Sequence, residues 1–76
     1  MDVRIGKYRH YKGNLYEVVG VARNSEDPKE EFVVYRALYN SEEFGDRVLW
    51  VRPKSMFMGA VSKEGKNVPR FSYVGE

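Results

Sequence analysis

The chain contains no cysteine. That excludes a disulfide framework and every zinc site built on thiolates, the staples small domains use most often. Histidine is almost missing as well: His10 stands alone, which leaves no histidine-rich metal cluster. No run approaches the ~20 apolar residues that a membrane helix requires, so no membrane partner is expected. The N-terminus, Met1-Asp2-Val3-Arg4-Ile5-Gly6, is not followed by an apolar stretch of the signal type, and the expected compartment is the cytoplasm. There is no phosphate-cradling glycine loop, Walker pattern or dinucleotide fingerprint, and no cofactor is expected. A net charge of +2 is too small to argue for nucleic acid by itself.

What is present is aromatic. Six tyrosines, four phenylalanines and Trp50 are spread through 76 residues, enough for one domain spanning 1–76 and no second one. A chain of this size buries only about 60% of the surface its unfolded form exposes. Stability must come from packing, and rings supply large buried areas per residue. The charges are also unevenly placed. Residues 1–23 carry five basic and two acidic groups, residues 24–46 two and seven, and residues 47–76 six and two. Basic ends flank an acidic middle, so a basic face forms if the ends meet in space; the alternative is an ordinary mixed-charge surface with acidic loops.

β-forming residues recur in short runs separated by turn residues. Residues 6–12 alternate weakly, and Gly13-Asn14 reads as a tight hairpin turn because both residues tolerate positive φ. Residues 15–23 form a second strand whose valines suit a pleated sheet, with Gly20 marking a bulge or a close backbone approach. Residues 24–31 read as a polar, acidic connection broken by Pro28. A third strand covers 32–39 and a fourth 47–52, stopped by Pro53, since proline costs a ladder bond. Residues 54–61 suit one or two helical turns, with Ser55 as a cap and Met56, Phe57 and Ala60 facing inward. Gly65-Lys66-Asn67 marks a turn, and 68–74 forms a last strand. The expected class is all-β with one short helical turn: a small five-stranded SH3-like barrel, or a strongly bent antiparallel sheet.

Two strands carry an arginine in mid-pattern, Arg36 and Arg52. Charged side chains are seldom buried without a partner, so both are expected outward. Val33, Tyr35, Ala37 and Tyr39 then face the core from the third strand, and Leu49 and Val51 from the fourth. A one-residue slip exchanges the two faces. That rival register makes a more apolar core but buries two arginines, with Glu17 the only acidic residue inside an expected strand.

Catalytic signals are poor. The serines fall in expected loops or at element ends without a nucleophile-elbow context, and the pairs Glu30-Glu31 and Glu42-Glu43 are explained by solvated loops. His10, flanked by tyrosines, reads first as a structural hydrogen-bonding residue, with a stacking or hydrogen-bonding wall of a pocket as the functional alternative. The interleaving of rings and cations is the better lead: Tyr8-Arg9-His10-Tyr11-Lys12, Tyr35-Arg36, Trp50-Val51-Arg52 and Arg70-Phe71. Small barrels that bind single-stranded nucleic acid stack bases on rings and track phosphates with a basic groove. The same pairs also serve as internal cation–π contacts.

The strings Gly6-Lys7-Tyr8-Arg9-His10-Tyr11-Lys12-Gly13-Asn14, Tyr16-Glu17-Val18-Val19-Gly20-Val21-Ala22, Phe32 to Tyr39, Leu49-Trp50-Val51-Arg52-Pro53 with Met56-Phe57, and Val68-Pro69-Arg70-Phe71 resemble a short bacterial family known only as a domain of unknown function. The resemblance covers nearly the whole chain. It implies a stand-alone bacterial cytoplasmic domain and brings no activity or catalytic residue. At Ala22-Arg23-Asn24-Ser25-Glu26 this chain departs from the pattern, which carries histidine near Asn24, and a metal or catalytic role for that loop is not carried over.

The functional expectation is a binding module for an anionic or planar partner, such as nucleic acid, a nucleotide or an acidic peptide. Its expected site residues are Tyr8, His10, Arg36, Trp50, Arg52 and Arg70. The second expectation is a protein–protein or homodimer interface on an apolar outer face of Phe32, Val34, Leu38 and Trp50. A third is a small hydrolase or isomerase that uses His10.

Overall fold

Backbone chemistry at a few glycines sets the frame of the computed structural model, which describes residues 3–76; Met1 and Asp2 of the N-terminal segment read above lie outside them. Strand β1 (Gly6–His10) turns into β2 (Leu15–Asn24) around Gly13, whose φ of 111° only glycine adopts freely. The turn is closed by the N–H of His10 on the carbonyl of Asn14 (2.8 Å) and the N–H of Gly13 on the carbonyl of His10 (2.7 Å). In β2 the pairing with β3 (Asp27–Ala37) slips at Val18/Gly20, the bulge expected at Gly20. The acidic stretch expected as a loop is instead part of a long hairpin, with β2 running to Asn24 and β3 starting at Asp27. Pro28 is accommodated because it sits at the strand end, where a missing N–H costs little. The turn is organised by Asn24, whose Oδ1 accepts from the N–H of Glu26 (2.9 Å) and whose Nδ2 donates to Glu30 (2.8 Å).

After two short pairs, β4 (Asn40–Ser41) with β5 (Gly45–Asp46), the chain enters β6 (Leu49–Pro53) and a single helical turn, α1 (Lys54–Phe57). Pro53 occupies the cap position of α1 without a side-chain cap bond, so Ser55 does not cap it. Of the three residues expected inward, Phe57 is buried while Met56 and Ala60 are exposed, because the helix stops after one turn. The expected last strand is two strands. β7 (Ala60–Lys63) and β8 (Lys66–Pro69) form a ribbon through Glu64 and Gly65, both at positive φ (53° and 78°), and β9 (Phe71–Gly75) then joins the main sheet.

The main sheet is antiparallel, in the order β6-β3-β2-β1-β9. It is strongly bent and open: among the described residues no ladder joins β6 to β9. The bend is legible in two contacts. β3 and β9 are three strand spacings apart, roughly 14 Å in a flat sheet, yet the rings of Tyr35 and Phe71 lie 5.4 Å apart. β6 and β9, the two edges, are four spacings or roughly 19 Å apart when flat, yet the Arg52 guanidinium is 5.6 Å from the Phe71 ring. The sheet curls until its edges face each other across the inner side.

That inner side holds the core of Tyr8, Val18, Val33, Tyr35, Phe57 and Phe71. Phe57 is the piece supplied from outside the sheet; it stacks on Phe71 at 4.1 Å with the planes 11° apart and packs against Tyr8 and Tyr35. As expected, Val33, Tyr35 and Ala37 face inward, and Tyr39 is half-buried with its hydroxyl 2.9 Å from that of Tyr16. The fourth strand is a correction. Tyr35 pairs with Trp50 and Val33 with Arg52, and directly opposed residues share a face. Trp50 and Arg52 therefore point inward, while Leu49 and Val51 are 54% and 63% exposed on the outer side. An arginine is tolerated there because β6 is an edge: its guanidinium reaches the open seam between the sheet's ends.

Two stability tests follow. Phe57→Ala empties the centre of the aromatic cluster and costs about 3–5 kcal/mol, a large share of what a domain this small holds; urea denaturation reads it as a much lower midpoint. Gly6→Ala destabilises as well, because φ at Gly6 is 140° and an added Cβ meets the Gly75 carbonyl oxygen at 2.8 Å and Tyr73 Cε1 at 2.9 Å. A variant with an unchanged midpoint contradicts either claim.

Candidate anion-binding mouth

The seam between the two sheet edges brings together residues far apart in sequence. β6 contributes Trp50 and Arg52, the β8–β9 junction Arg70, and the end of β1 His10. The Nε–H of Arg52 donates to the Tyr35 hydroxyl (3.2 Å), and the Nε–H of Arg70 donates to the Met56 carbonyl (3.1 Å). Each guanidinium is thus anchored by its stem-side nitrogen. Among the described residues, no ion pair or further hydrogen bond engages their terminal nitrogens. By contrast Arg36 lies 3.6 Å from Glu17 and Arg23 lies 3.6 Å from Glu31.

His10 sits between these cations. Its ring is 4.5 Å from Tyr11, 4.9 Å from Phe71 and 6.2 Å from Tyr16. The Lys12 backbone N–H donates to Nδ1 at 3.2 Å, which fixes Nδ1 as the acceptor and leaves the proton on Nε2. Burial holds the imidazole's pKa below its ordinary 6.5, and the positive charges of Arg52, Lys12 and Arg70 push it the same way. The opposite wall is the Tyr16–Tyr39 hydroxyl pair; burial and the Tyr39 hydroxyl push Tyr16 up to about 12. The Tyr16 hydroxyl therefore stays protonated at neutral pH. The mouth offers two forked cations, one neutral imidazole and phenolic O–H groups, all on ring-covered ground. That set suits holding an anion; it offers no activated nucleophile.

Three of the six residues expected at the site, His10, Trp50 and Arg52, share the inner side of the sheet, and a fourth, Arg70 at the β8–β9 junction, is close enough for its charge to act on His10. Trp50 packs on the edge of the core with Phe44 edge-on to it at 5.4 Å. Tyr8 lies deeper, 8% exposed, its hydroxyl donating to the Arg4 carbonyl (2.8 Å) and its pKa raised by burial, so it supports the cluster from below. Arg36 lies on the opposite face, with Glu17 as its cross-strand neighbour. Sequence reasoning missed Tyr16, Tyr35 and Tyr39 as members of the mouth. Their signal was inward alternation with tyrosine in place of phenylalanine, since a buried hydroxyl asks for a partner. A separate cleft of about 530 Å³ between the β2–β3 hairpin and α1 is lined by Glu30 and Glu31 as well as Lys29 and Lys54, and does not favour an anion.

These features define a small curled antiparallel β domain with a cationic, ring-walled mouth. The chain belongs to the family described as protein of unknown function DUF1653, whose model matches residues 6–73. A crystal structure of a DUF1653 protein from Bordetella bronchiseptica is similar to it: 38% identical, with a TM-score of 0.83, over 97% of this chain and 90% of that one. No curated protein matches the chain. No helix among the described residues is long and apolar enough to cross a membrane.

The histidine gives a direct check. The unfolded chain protonates His10 near 6.5 while the folded chain holds it neutral to lower pH. Its contribution to stability is whole above about 6.5 and is lost as pH falls through the depressed folded value. As the one histidine of the chain, it gives a single imidazole signal by NMR. The titration midpoint is expected below 6.5, rising in an Arg52→Ala/Arg70→Ala double variant. A midpoint at or above 6.5 contradicts this electrostatic picture.

Proposed function

We propose that the chain is a binding module whose mouth captures an anionic group, with planar ligands favoured by its surrounding rings. One observation carries the reading: Arg52 and Arg70 are both anchored through Nε, neither fork is paired among the described residues, and both charges act on His10. Placing like charges together without a carboxylate costs free energy in the empty domain, and an incoming phosphate or carboxylate recovers it through charge-assisted, bidentate hydrogen bonds. Trp50 lies on the same side and supplies both a ring and a reporter.

The test titrates the domain at low salt with inorganic phosphate, a nucleoside monophosphate and a glutamate-rich peptide. Trp50 fluorescence and calorimetry are read together. At least one probe binds, and Arg52→Ala or Arg70→Ala weakens it by about 10–100-fold, the range for a hydrogen bond to a charged group. Arg36→Ala, on the other face, leaves it unchanged. No binding of any of the three removes the proposal.

A second reading rests on a different observation. Leu49 and Val51 are exposed on the outer face of an edge strand, with Val34 opposite Val51. This supports self-association by apposition of two β6 edges, where the outer patch is self-complementary about a two-fold axis. Light scattering decides it: a concentration-dependent dimer that Val51→Lys abolishes supports the reading, and a strict monomer at high concentration removes it.

A further inference from the structure

The pairing of β1 with β9 brings the two basic ends of the chain side by side. Residues 6–14 and 60–75 together hold six cations, Lys7, Arg9, Lys12, Lys63, Lys66 and Arg70, against one carboxylate, Glu64. The acidic residues of 24–46 lie on the β2–β3 hairpin and the β4–β5 loop. On this basic end, the outer face of the β1–β9 pair and the β7–β8 ribbon enclose a groove of about 320 Å³. Arg9 and Lys63 lie on its walls, Val68, Pro69 and Val74 give it apolar surface, and the Tyr11 ring stands at one end. Neither Arg9 nor Lys63 forms an ion pair among the described residues.

The groove meets the mouth at one residue, His10, at the end of β1. His10 lines the groove and also lies 4.9 Å from Phe71 at the centre of the mouth. The Tyr11 N–H donates to the Arg70 carbonyl at 2.9 Å, which ties the groove's aromatic end to one of the two mouth arginines. A single path therefore runs from Lys63 and Arg9, past the adjoining rings of Tyr11 and His10, to Arg70 and Arg52.

We infer that this path binds single-stranded nucleic acid, with a base lodged against Tyr11 and the apolar groove wall and the flanking phosphates held by Arg9 and Lys63 on one side and Arg70 and Arg52 on the other. The inference rests on the anion-binding mouth and names its ligand class. Three features favour a polynucleotide over an acidic peptide. The cations form a track rather than one cluster, so repeated charges are matched. Rings interrupt the track, and every base has a face to stack on them. The groove is of a size for a flat apolar-faced group, near the lower limit of small-ligand pockets at roughly 300 Å³. Lys12, whose ammonium stands 5.9 Å from the Tyr11 ring centroid, is displaced by an incoming base and left beside its phosphate.

Fluorescence anisotropy with labelled twelve-residue oligouridylate and oligothymidylate tests the path, with a nucleoside monophosphate as the short comparison. The oligomers are expected to bind at least tenfold tighter than the monophosphate, with affinity falling steeply as salt rises. The exposed-site double variant Arg9→Glu/Lys63→Glu weakens oligomer binding at least tenfold and makes the slope of log affinity against log salt shallower by about 1–2, as two phosphate contacts disappear. It leaves monophosphate binding at the mouth within twofold, and circular dichroism verifies its fold. Oligomer binding unchanged in that variant overturns the path while the mouth stands. Displacement of the oligomer by polyglutamate at equal charge concentration overturns it too, because it shows capture of any polyanion. A wild-type chain that binds neither oligomer nor monophosphate sinks both readings together.

Discussion

The stack of Phe57 on Phe71 is the contact on which the rest of this domain depends. A five-stranded sheet has an inner face to bury, and among the described residues there are only two-stranded ribbons and one helical turn besides it. The chain covers that face with its own rings. One helical turn delivers Phe57 from outside the sheet, and Tyr8, Tyr35 and Phe71 close around it. Because the rings must converge on one point, the sheet has to bend, and the bend carries the edge strands toward each other. The seam that forms between them is a by-product of making a core from so few residues.

That geometry explains how cations come to sit on an aromatic face. A wholly enclosed arginine would need a carboxylate, and leaving it unpaired would cost several kcal/mol. At an open seam the guanidinium keeps its outer nitrogens in solvent while its stem packs on rings, and one hydrogen bond from Nε sets its direction. Arg52 and Arg70 are each directed by such a bond, to different acceptors, and Arg52 lies over the Phe71 ring. His10 between them is kept neutral by burial and by their charges. An unliganded site of this kind is poised electrostatically for a negative guest.

Much of the architecture was legible in the sequence, and the exceptions have identifiable causes. Gly13 announced a turn because its φ of 111° is one that only glycine adopts freely, and Gly20 announced a bulge because a glycine inside a strand pattern marks one. The alternation Val33-Tyr35-Ala37 announced the inner face of β3. The facing of β6 departs from the sequence pattern because an arginine points away from the core in a central strand such as β3 but not at an edge. The hairpin around Asn24 was hidden by its acidity and by Pro28, both tolerated where the ladder is solvent-exposed. The β7–β8 ribbon was hidden by its brevity. For the site, the chemistry of the residues was readable but their convergence was not, since it depends on a curl that brings positions 10, 52 and 70 together. Arg36 shared the sequence signature of Arg52 and lies on the other side of the sheet beside Glu17.

The central claim is that the unpaired forks at the seam are where this domain meets its ligand. Arginine Nε–H signals in isotope-labelled protein report on each guanidinium separately. Titration with a short single-stranded oligonucleotide is predicted to shift the Nε–H signals of Arg52 and Arg70 together with the His10 ring, while Arg36 stays fixed. Shifts confined to Arg36 and the outer face, or the absence of shifts at Arg52 and Arg70, would contradict the account.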